Sequence, residues 1–541
     1  MTTIATNPVV RGFAPDPSVI RVGEWFYLAT SSFEWYPTIP IRRSRDLVEW
    51  EYIGSVEGAV PQGDLHGVPD SAGIWAPSLS HDGERFWMTY SIVRTFLGRQ
   101  LDVETYISTS SAAEGRWSTP SRVSGHGFDP SIFHHDGSHH LLNLQCDSRP
   151  GGSRFSGILI VQLDADGTRT IGSPTLLLQH PTLVEGPKLF EHNGWFHLVL
   201  AQGGTGVEHG VLMARSRELL GPYELDDRPL LTSRDDTTLR LQKAGHAEFV
   251  QDAGGRWYIG HLASRWLDTV QGRQFPYGRE TCVQEIVWID GWPRLKAGGW
   301  HPADMFAAPT GDPIPEVHGE GSVGATITTD DAIGVESEAE SSFGWPWRSL
   351  REPMDDWASR HGDGVRIRGR HGLESMFGTS LLAQPLRESR MRFSTTVDTA
   401  PSTYTEGAGI VLWYNSTSYY SLAVTWVEAY GERQHGQQWT GGGHKAVVVT
   451  ARDRGGARVV ATHILDHDRP IELEAHLNGP VAGFNVDGAE IGPAFDIGIL
   501  SDDYGDALRF TGAMVGIYAF DVVDASFAAT FNALCIDQFE G

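Results

Sequence analysis

Gly23-Glu-Trp-Phe-Tyr-Leu-Ala-Thr-Ser31, Gly83-Glu-Arg-Phe-Trp-Met-Thr-Tyr-Ser91, Gly137-Ser-His-His-Leu-Leu-Asn-Leu-Gln145, Gly194-Trp-Phe-His-Leu-Val-Leu-Ala-Gln202 and Gly255-Arg-Trp-Tyr-Ile-Gly-His-Leu-Ala263 are five versions of one phrase, a turn glycine followed by an apolar, mostly aromatic-rich strand. Successive glycines lie 60, 54, 57 and 61 residues apart. Repeats of this length are too long for helical solenoids and fit four-stranded blades, and helical 3.6-residue periodicity is almost absent between the turn signals. The front of the chain therefore predicts a five-bladed β-propeller.

The segments preceding those glycines carry the chemistry. They are Pro15-Asp16-Pro17-Ser18, Trp75-Ala76-Pro77-Ser78, Phe128-Asp129-Pro130-Ser131, Glu185-Gly186-Pro187-Lys188 and Gly245-His246-Ala247-Glu248. The innermost strand of each blade lines the central channel, so equivalent positions in the repeat converge on one axis. Asp16, Asp129 and Glu185 stand at nearly the same repeat position, with His246 at the matching place in the fifth blade and Trp75 in the second. Asp-Pro-Ser also starts ordinary turns. Three carboxylates on one axis, however, raise one another's pKa and cost stability unless a function retains them.

Cleavage of a glycosidic bond needs one carboxylic acid to protonate the leaving oxygen and a second carboxylate to activate water or attack directly. A third can tune and orient the acid. Sugars offer apolar ring faces and hydroxyl edges, which makes Phe33, Trp35, Trp75 and Trp266 candidate platforms, although most tryptophans in such a fold pack blades. Trp75, beside an inner-strand position, is the strongest of the four.

Composition narrows the partners. The chain has 541 residues, with 42 Lys plus Arg against 68 Asp plus Glu and a net charge of −26. So negative a surface repels phosphate backbones and anionic bilayers, leaving a small neutral substrate as the expected partner, with no nucleic acid and no membrane. Three scattered cysteines, Cys146, Cys282 and Cys535, give neither a disulfide framework nor a zinc knuckle. No secretory n-region or h-region opens the sequence, so a cytoplasmic location is expected. His134-His135 and His139-His140 flank the Asp136-Gly137 turn and are expected to alternate across a hairpin. Asp164-Ala-Asp-Gly167 lacks the rest of a calcium loop, and no G-x-S-x-G or H-E-x-x-H occurs.

Residues 306–342 are rich in Pro, Gly and acidic side chains, which reads as a linker after a propeller at 1–305. Beyond it, alternating runs such as Arg390-Met-Arg-Phe-Ser-Thr-Thr-Val397 and Tyr419-Tyr-Ser-Leu-Ala-Val-Thr-Trp426 predict a β-sandwich, jelly-roll or concanavalin-like, over 343–541. The fold class is thus all-β.

Taken together, Asn7-Pro-Val-Val-Arg-Gly-Phe-Ala-Pro-Asp16-Pro-Ser, Ser31-Ser-Phe-Glu-Trp-Tyr-Pro37, Pro69-Asp-Ser-Ala-Gly-Ile-Trp75-Ala-Pro, Gly127-Phe-Asp129-Pro-Ser, Glu185-Gly-Pro, Gly203-Gly-Thr-Gly-Val-Glu-His209, Gly245-His246-Ala and Gly278-Arg279-Glu-Thr resemble glycoside hydrolase family 43. The likeness is to its β-xylosidase branch with a C-terminal β-sandwich, which Leu500-Ser-Asp-Asp-Tyr504 and Phe510-Thr-Gly-Ala-Met-Val-Gly also match. The resemblance implies an inverting, exo-acting hydrolase that releases terminal xylose from xylo-oligosaccharides. Asp16 matches the general base, Glu185 the general acid and Asp129 the carboxylate that tunes it. Arg279 matches an arginine at the terminal sugar, and Phe510 an aromatic that closes one side of the pocket. His246 matches a histidine that in some relatives helps place a calcium ion or water on the axis. It is therefore both a candidate structural Ca2+ ligand and a candidate satisfied channel histidine; no cofactor is otherwise required. Where the family pattern carries an aromatic, this chain has Leu144-Gln-Cys-Asp147 and a Ser148-Arg-Pro-Gly-Gly152 loop. Homo-oligomerisation to a dimer or tetramer is expected. The alternatives are an α-L-arabinofuranosidase or bifunctional enzyme, a retaining enzyme, and a non-catalytic carbohydrate-binding propeller.

Overall fold

The structure is a computed structural model that describes residues 3–309, 345–428 and 442–539. It contains two compact units, one comprising the described residues of Met1–Trp266 and Gly278–Val317, the other those of Leu267–Tyr277 and His318–Gly541.

The first unit is a five-bladed propeller. Its blades are antiparallel four-stranded sheets whose first strands are Ser18–Val22, Gly73–His81, Ser131–His135, Val184–His192 and Leu241–Gln251, with a short fifth strand in the fourth blade. Each first strand touches the first strands of the blades on either side, the fifth returning to the first, so these five strands form the inner ring. The second strands, Trp25–Ala29, Phe86–Thr95, Ser138–Cys146, Trp195–Gln202 and Trp257–Arg265, follow the five repeated glycines. Their turn glycines, Gly23, Gly83, Gly137, Gly194 and Gly255, all have φ between 62° and 103°, a left-handed backbone that a side chain would strain. The ring closes through Ile4–Thr6, which pairs with Met305–Ala307, and through Asn7, whose Nδ2 donates to the Val283 carbonyl at 2.8 Å.

That closing pair moves a boundary. Residues 306 and 307, expected in the linker, lie in a propeller strand, and Phe306 is buried in the first unit's core with Val19, Phe26 and Tyr258. Residues 310–342 of the expected linker lie outside the described residues. Leu267–Tyr277, expected in the propeller, groups with the second unit; there the Phe275 N–H donates to Ser501 Oγ and the Ala513 N–H to the Pro276 carbonyl.

The second unit is a β-sandwich. Among its described residues one sheet runs Gly456–Ile464, Gly443–Asp453, Ser418–Glu428, Glu406–Asn415, Met514–Asp521, Ser380–Pro385, Arg348–Leu350. The other runs Ala358–His361, Gly364–Arg368, Ala528–Phe539, Arg390–Asp398, Ile471–Asn478, Val481–Val486, Ala489–Asp496. Alternate residues point inward, as the sequence alternation requires: Met391, Phe393 and Val397 of one strand face Ile410, Leu422 and Ile517 of the other sheet in one core. The only helical element among the described residues is a 3-10 turn at Ile497–Ile499.

Candidate active site

The inner strands bring the predicted residues together through a shared backbone distortion. Asp16, Ala76, Asp129, Gly186 and His246 have φ of 53°, 32°, 53°, 55° and 46°. These are the same repeat position in five blades, each two residues before Ser18, Ser78, Ser131, Lys188 and Glu248. In the second, fourth and fifth blades the ladder skips register across it, between Trp75 and Ser78, Glu185 and Lys188, and Gly245 and Glu248. Such bulges turn side chains out of the pleat and recur beside functional sites. This corrects the sequence alignment: Ala76 rather than Trp75 is the equivalent in the second blade. Glu185 stands one residue upstream of the others, with Gly186 taking the left-handed position. A Cβ on residue 186 would lie 3.0 Å from His246 Nε2, so it is the close approach of that ring, more than a left-handed backbone that four side-chain-bearing counterparts share, that favours glycine there.

Asp16 is held in its ionised form. Arg279 Nη1 donates to its Oδ1 at 2.7 Å and Ser31 Oγ to its Oδ2 at 2.6 Å. Ser31 Oγ in turn accepts the Ala76 N–H at 2.8 Å, which fixes its hydrogen toward Asp16. The Ala14 N–H donates to the Arg279 carbonyl at 3.0 Å and Thr281 Oγ1 to the Ala14 carbonyl at 2.8 Å, tying the two partners' backbones together. Burial alone would raise the Asp16 pKa; Arg279 foremost, then His246, Ser31 and His209, bring it below the ordinary carboxylate range. His246 Nδ1 lies 3.5 Å from Asp16 Oδ1. Burial pushes His246 down to about 4 and His209 to about 3, so near neutral pH the permanent cation beside Asp16 is Arg279.

The other two carboxyls keep their protons. Burial, then the charge of Asp16, raises Glu185 to about 7, with Arg279 opposing. Asp129 is pushed well above the ordinary range by burial, then by Glu185 and Asp16; its Oδ2 accepts the Gly186 N–H at 3.1 Å. Asp129 therefore holds the backbone next to Glu185. One ionised carboxylate paired with a guanidinium, beside a carboxylic acid that stays protonated to neutrality, is the division that acid–base cleavage of an acetal needs.

Aromatic rings border the carboxyls. Arg279 lies over the Phe33 ring at 5.5 Å, Phe33 meets Trp75 at 6.1 Å, and Trp75 stands edge-on to Phe128, the neighbour of Asp129, at 5.5 Å. Trp75 Nε1 donates to the Ser71 carbonyl at 3.0 Å, fixing its plane. Trp35 is fully buried and cannot offer a face to a sugar, which corrects that expectation. Trp266 is half-buried with Nε1 donating to the Leu239 carbonyl. Phe510 belongs to the second unit and is buried. The unusual loop is a turn capped by Asp147, which accepts from the Arg149 N–H at 2.9 Å, and Arg99 donates to the Ser148, Arg149 and Gly152 carbonyls. His134 and His139 face each other across the Asp136-Gly137 hairpin, Nδ1 to Nδ1 at 2.7 Å.

Sequence reasoning passed over Ser31, His209, Lys188 and Glu248. All four were visible as ends of sequence motifs, with no role read for them. The signal for His209 is spatial: a Cβ on Gly245 would sit 2.0 Å from its ring, so Gly245 exists to seat it.

A propeller with split-protonation carboxyls at its axis is the architecture of a glycoside hydrolase. The chain belongs to the glycosyl hydrolases family 43, whose model matches residues 5–293, and residues 339–536 match the β-xylosidase C-terminal concanavalin A-like domain. It is 35% identical to a xylosidase/arabinosidase 43B of Humicola insolens, covering 97% of this chain and 96% of that one. It is 32% identical to a xylan 1,3-beta-xylosidase of a Vibrio species over 98% and 99% of the two chains. A crystal structure of xylan beta-1,4-xylosidase from Bacillus halodurans C-125 superposes with a TM-score of 0.89 at 31% identity, covering 99% of this chain and 100% of that one.

Proposed function

We propose that the protein is an exo-acting, inverting β-xylosidase that removes terminal xylose from short xylo-oligosaccharides. The observation that carries this reading is the placement of Asp16 and Glu185 in one inner ring of strands, Asp16 bonded to Arg279 and Ser31 while burial and the charge of Asp16 raise the Glu185 pKa. Asp16, charged and oriented by Arg279 and Ser31, takes a proton from a water below the anomeric carbon. As that water attacks, Glu185 gives its proton to the departing oxygen and the glycosidic bond breaks with inversion. The step leaves Asp16 protonated and Glu185 ionised, and solvent resets both. Asp129 holds the Gly186 backbone and so the aim of Glu185, and Arg279 keeps Asp16 charged and oriented.

A second reading, cleavage of α-L-arabinofuranosides, is supported by the double name of the Humicola relative. The Vibrio and Bacillus relatives are named for different xylosidic linkages, so linkage choice belongs to the same test. The test is kcat/KM on 4-nitrophenyl β-D-xylopyranoside and α-L-arabinofuranoside, with product analysis on 1,3- and 1,4-linked xylotetraose. Xylose and xylotriose as first products support the reading; xylobiose alone, from internal cleavage, would sink it. Glu185→Gln should lose about two to four decades of rate on poor leaving groups.

A further inference from the structure

Two residues along each inner strand from the catalytic tier lies a second ring of equivalent positions, Ser18, Ser78, Ser131, Lys188 and Glu248. All five are hydrogen-bonded between blades. Lys188 Nζ donates to Ser78 Oγ at 2.6 Å and stands 3.4 Å from Glu248 Oε2. Glu248 Oε2 also accepts Ser18 Oγ–H at 2.6 Å and the Val19 N–H at 3.1 Å. Ser18 Oγ accepts the Leu79 N–H at 2.9 Å, and Ser131 Oγ donates to the Pro187 carbonyl at 2.5 Å. Lys188 is on the fourth blade and Ser78 on the second. These blades are not neighbours in a five-membered ring, so an ammonium that bonds Ser78 has crossed the channel. Its side chain is 8% exposed.

The axial calcium implied by the resemblance does not fit these residues. Calcium takes six to eight oxygen ligands. Among the described residues no three His, Cys, Asp or Glu side chains converge on a cation position. The one carboxylate of the second ring, Glu248, is already engaged by Ser18, Val19 and the Lys188 ammonium. A divalent ion there would also meet the positive charge of Lys188 at close range.

We propose that the Lys188 ammonium is the propeller's own axial cation, taking the place of a bound metal and clamping the fourth blade to the second and fifth beneath Glu185 and His246. A buried ammonium on the fourth blade with partners on the second and fifth ties three blades together. Lys188 is thus a positioning residue, three residues from the Glu185 it steadies. The assignment concerns the frame of the site and holds whichever pentoside is cleaved.

Two measurements test it without using activity. Calorimetric titration of the intact protein with CaCl2 should give no binding heat, and its melting temperature should be the same in CaCl2 and in EDTA. Stoichiometric calcium uptake with a melting temperature that falls by several degrees in EDTA would overturn the proposal. The second is a cycle of Lys188→Met, Glu248→Gln and the double variant, read by thermal melting. Removing one partner strands a buried charge, so the double variant should be more stable than the Lys188→Met variant and the single losses should not add. Additive losses would mean that the ammonium is not paired with Glu248, so that the fourth blade is not clamped to the fifth, and would overturn it equally. Should Lys188→Met fail to fold, the Glu248→Gln melt and the calcium titration still decide.

Discussion

Replacing Arg279 with Met keeps most of the stem volume and removes the charge that stabilises ionised Asp16. The two groups are 3% and 6% exposed at their side chains and bonded at 2.7 Å, so the interaction is screened little by solvent. With charge centres about 4 Å apart and an effective dielectric near 20, their attraction is about 4 kcal/mol. Water entering the vacated space and the retained Ser31 bond recover part of it, leaving a net loss of about 3 kcal/mol, which moves the acid limb up by about two pH units. The sign follows from Asp16: its pKa is depressed in the folded enzyme, so losing the cation lets burial raise it. Arg279 also lowers Glu185, so the alkaline limb should rise as well. The assay is the pH dependence of kcat/KM on 4-nitrophenyl β-D-xylopyranoside, which reports the free enzyme. The wild type should give a bell whose alkaline side falls near pH 7, where Glu185 loses its proton. The variant's bell should be weaker and displaced to higher pH on both sides. A drop in rate with both limbs unmoved would refute the reasoning, assigning Arg279 to sugar binding alone.

Glu185 carries a stability cost that activity imposes. Its folded pKa of about 7 lies above its ordinary 4.5, so the folded state binds more protons between those values and stability falls as pH rises through the window. Glu185→Gln should therefore be more stable than wild type by up to about 3 kcal/mol at pH 8 and nearly equal to it at pH 4, by denaturant titration. Asp129→Asn keeps an acceptor for the Gly186 N–H, so if Asp129 acts by holding that backbone the alkaline limb stays near pH 7. A fall of a full pH unit would show Asp129 acting through its charge. Gly186→Ala puts a side chain in left-handed backbone and against His246, and should cost about 1–3 kcal/mol of stability together with a loss of kcat larger than any change in KM.

What the sequence displayed and what it concealed divide along physical lines. The blades were legible because each second strand starts from a left-handed glycine turn and alternates faces, both local properties. Asp16 and Asp129 were legible because the repeat assigns them to one ring. The offset of Glu185 was not, since it depends on which residue of Glu185-Gly186 takes the positive φ, a choice made by the close packing of His246 against residue 186. Trp35 could not be told from Trp75, because aromatic content does not say which ring is covered. The second ring was concealed by chemistry: Ser, Ser, Ser, Lys and Glu share no residue type, and only their common position beneath the carboxyls reveals one network. Of the 68 acidic residues, Glu248 thus joins the three of the catalytic tier as one whose placement has a reason.

The central claim is that Asp16 directs water in a single displacement while Glu185 protonates the leaving oxygen. The most direct test is a proton NMR time course of 4-nitrophenyl β-D-xylopyranoside hydrolysis. The first xylose to appear should be the α anomer, with the β anomer growing in only as fast as mutarotation allows. First-formed β-xylose would mean a covalent intermediate and would contradict it.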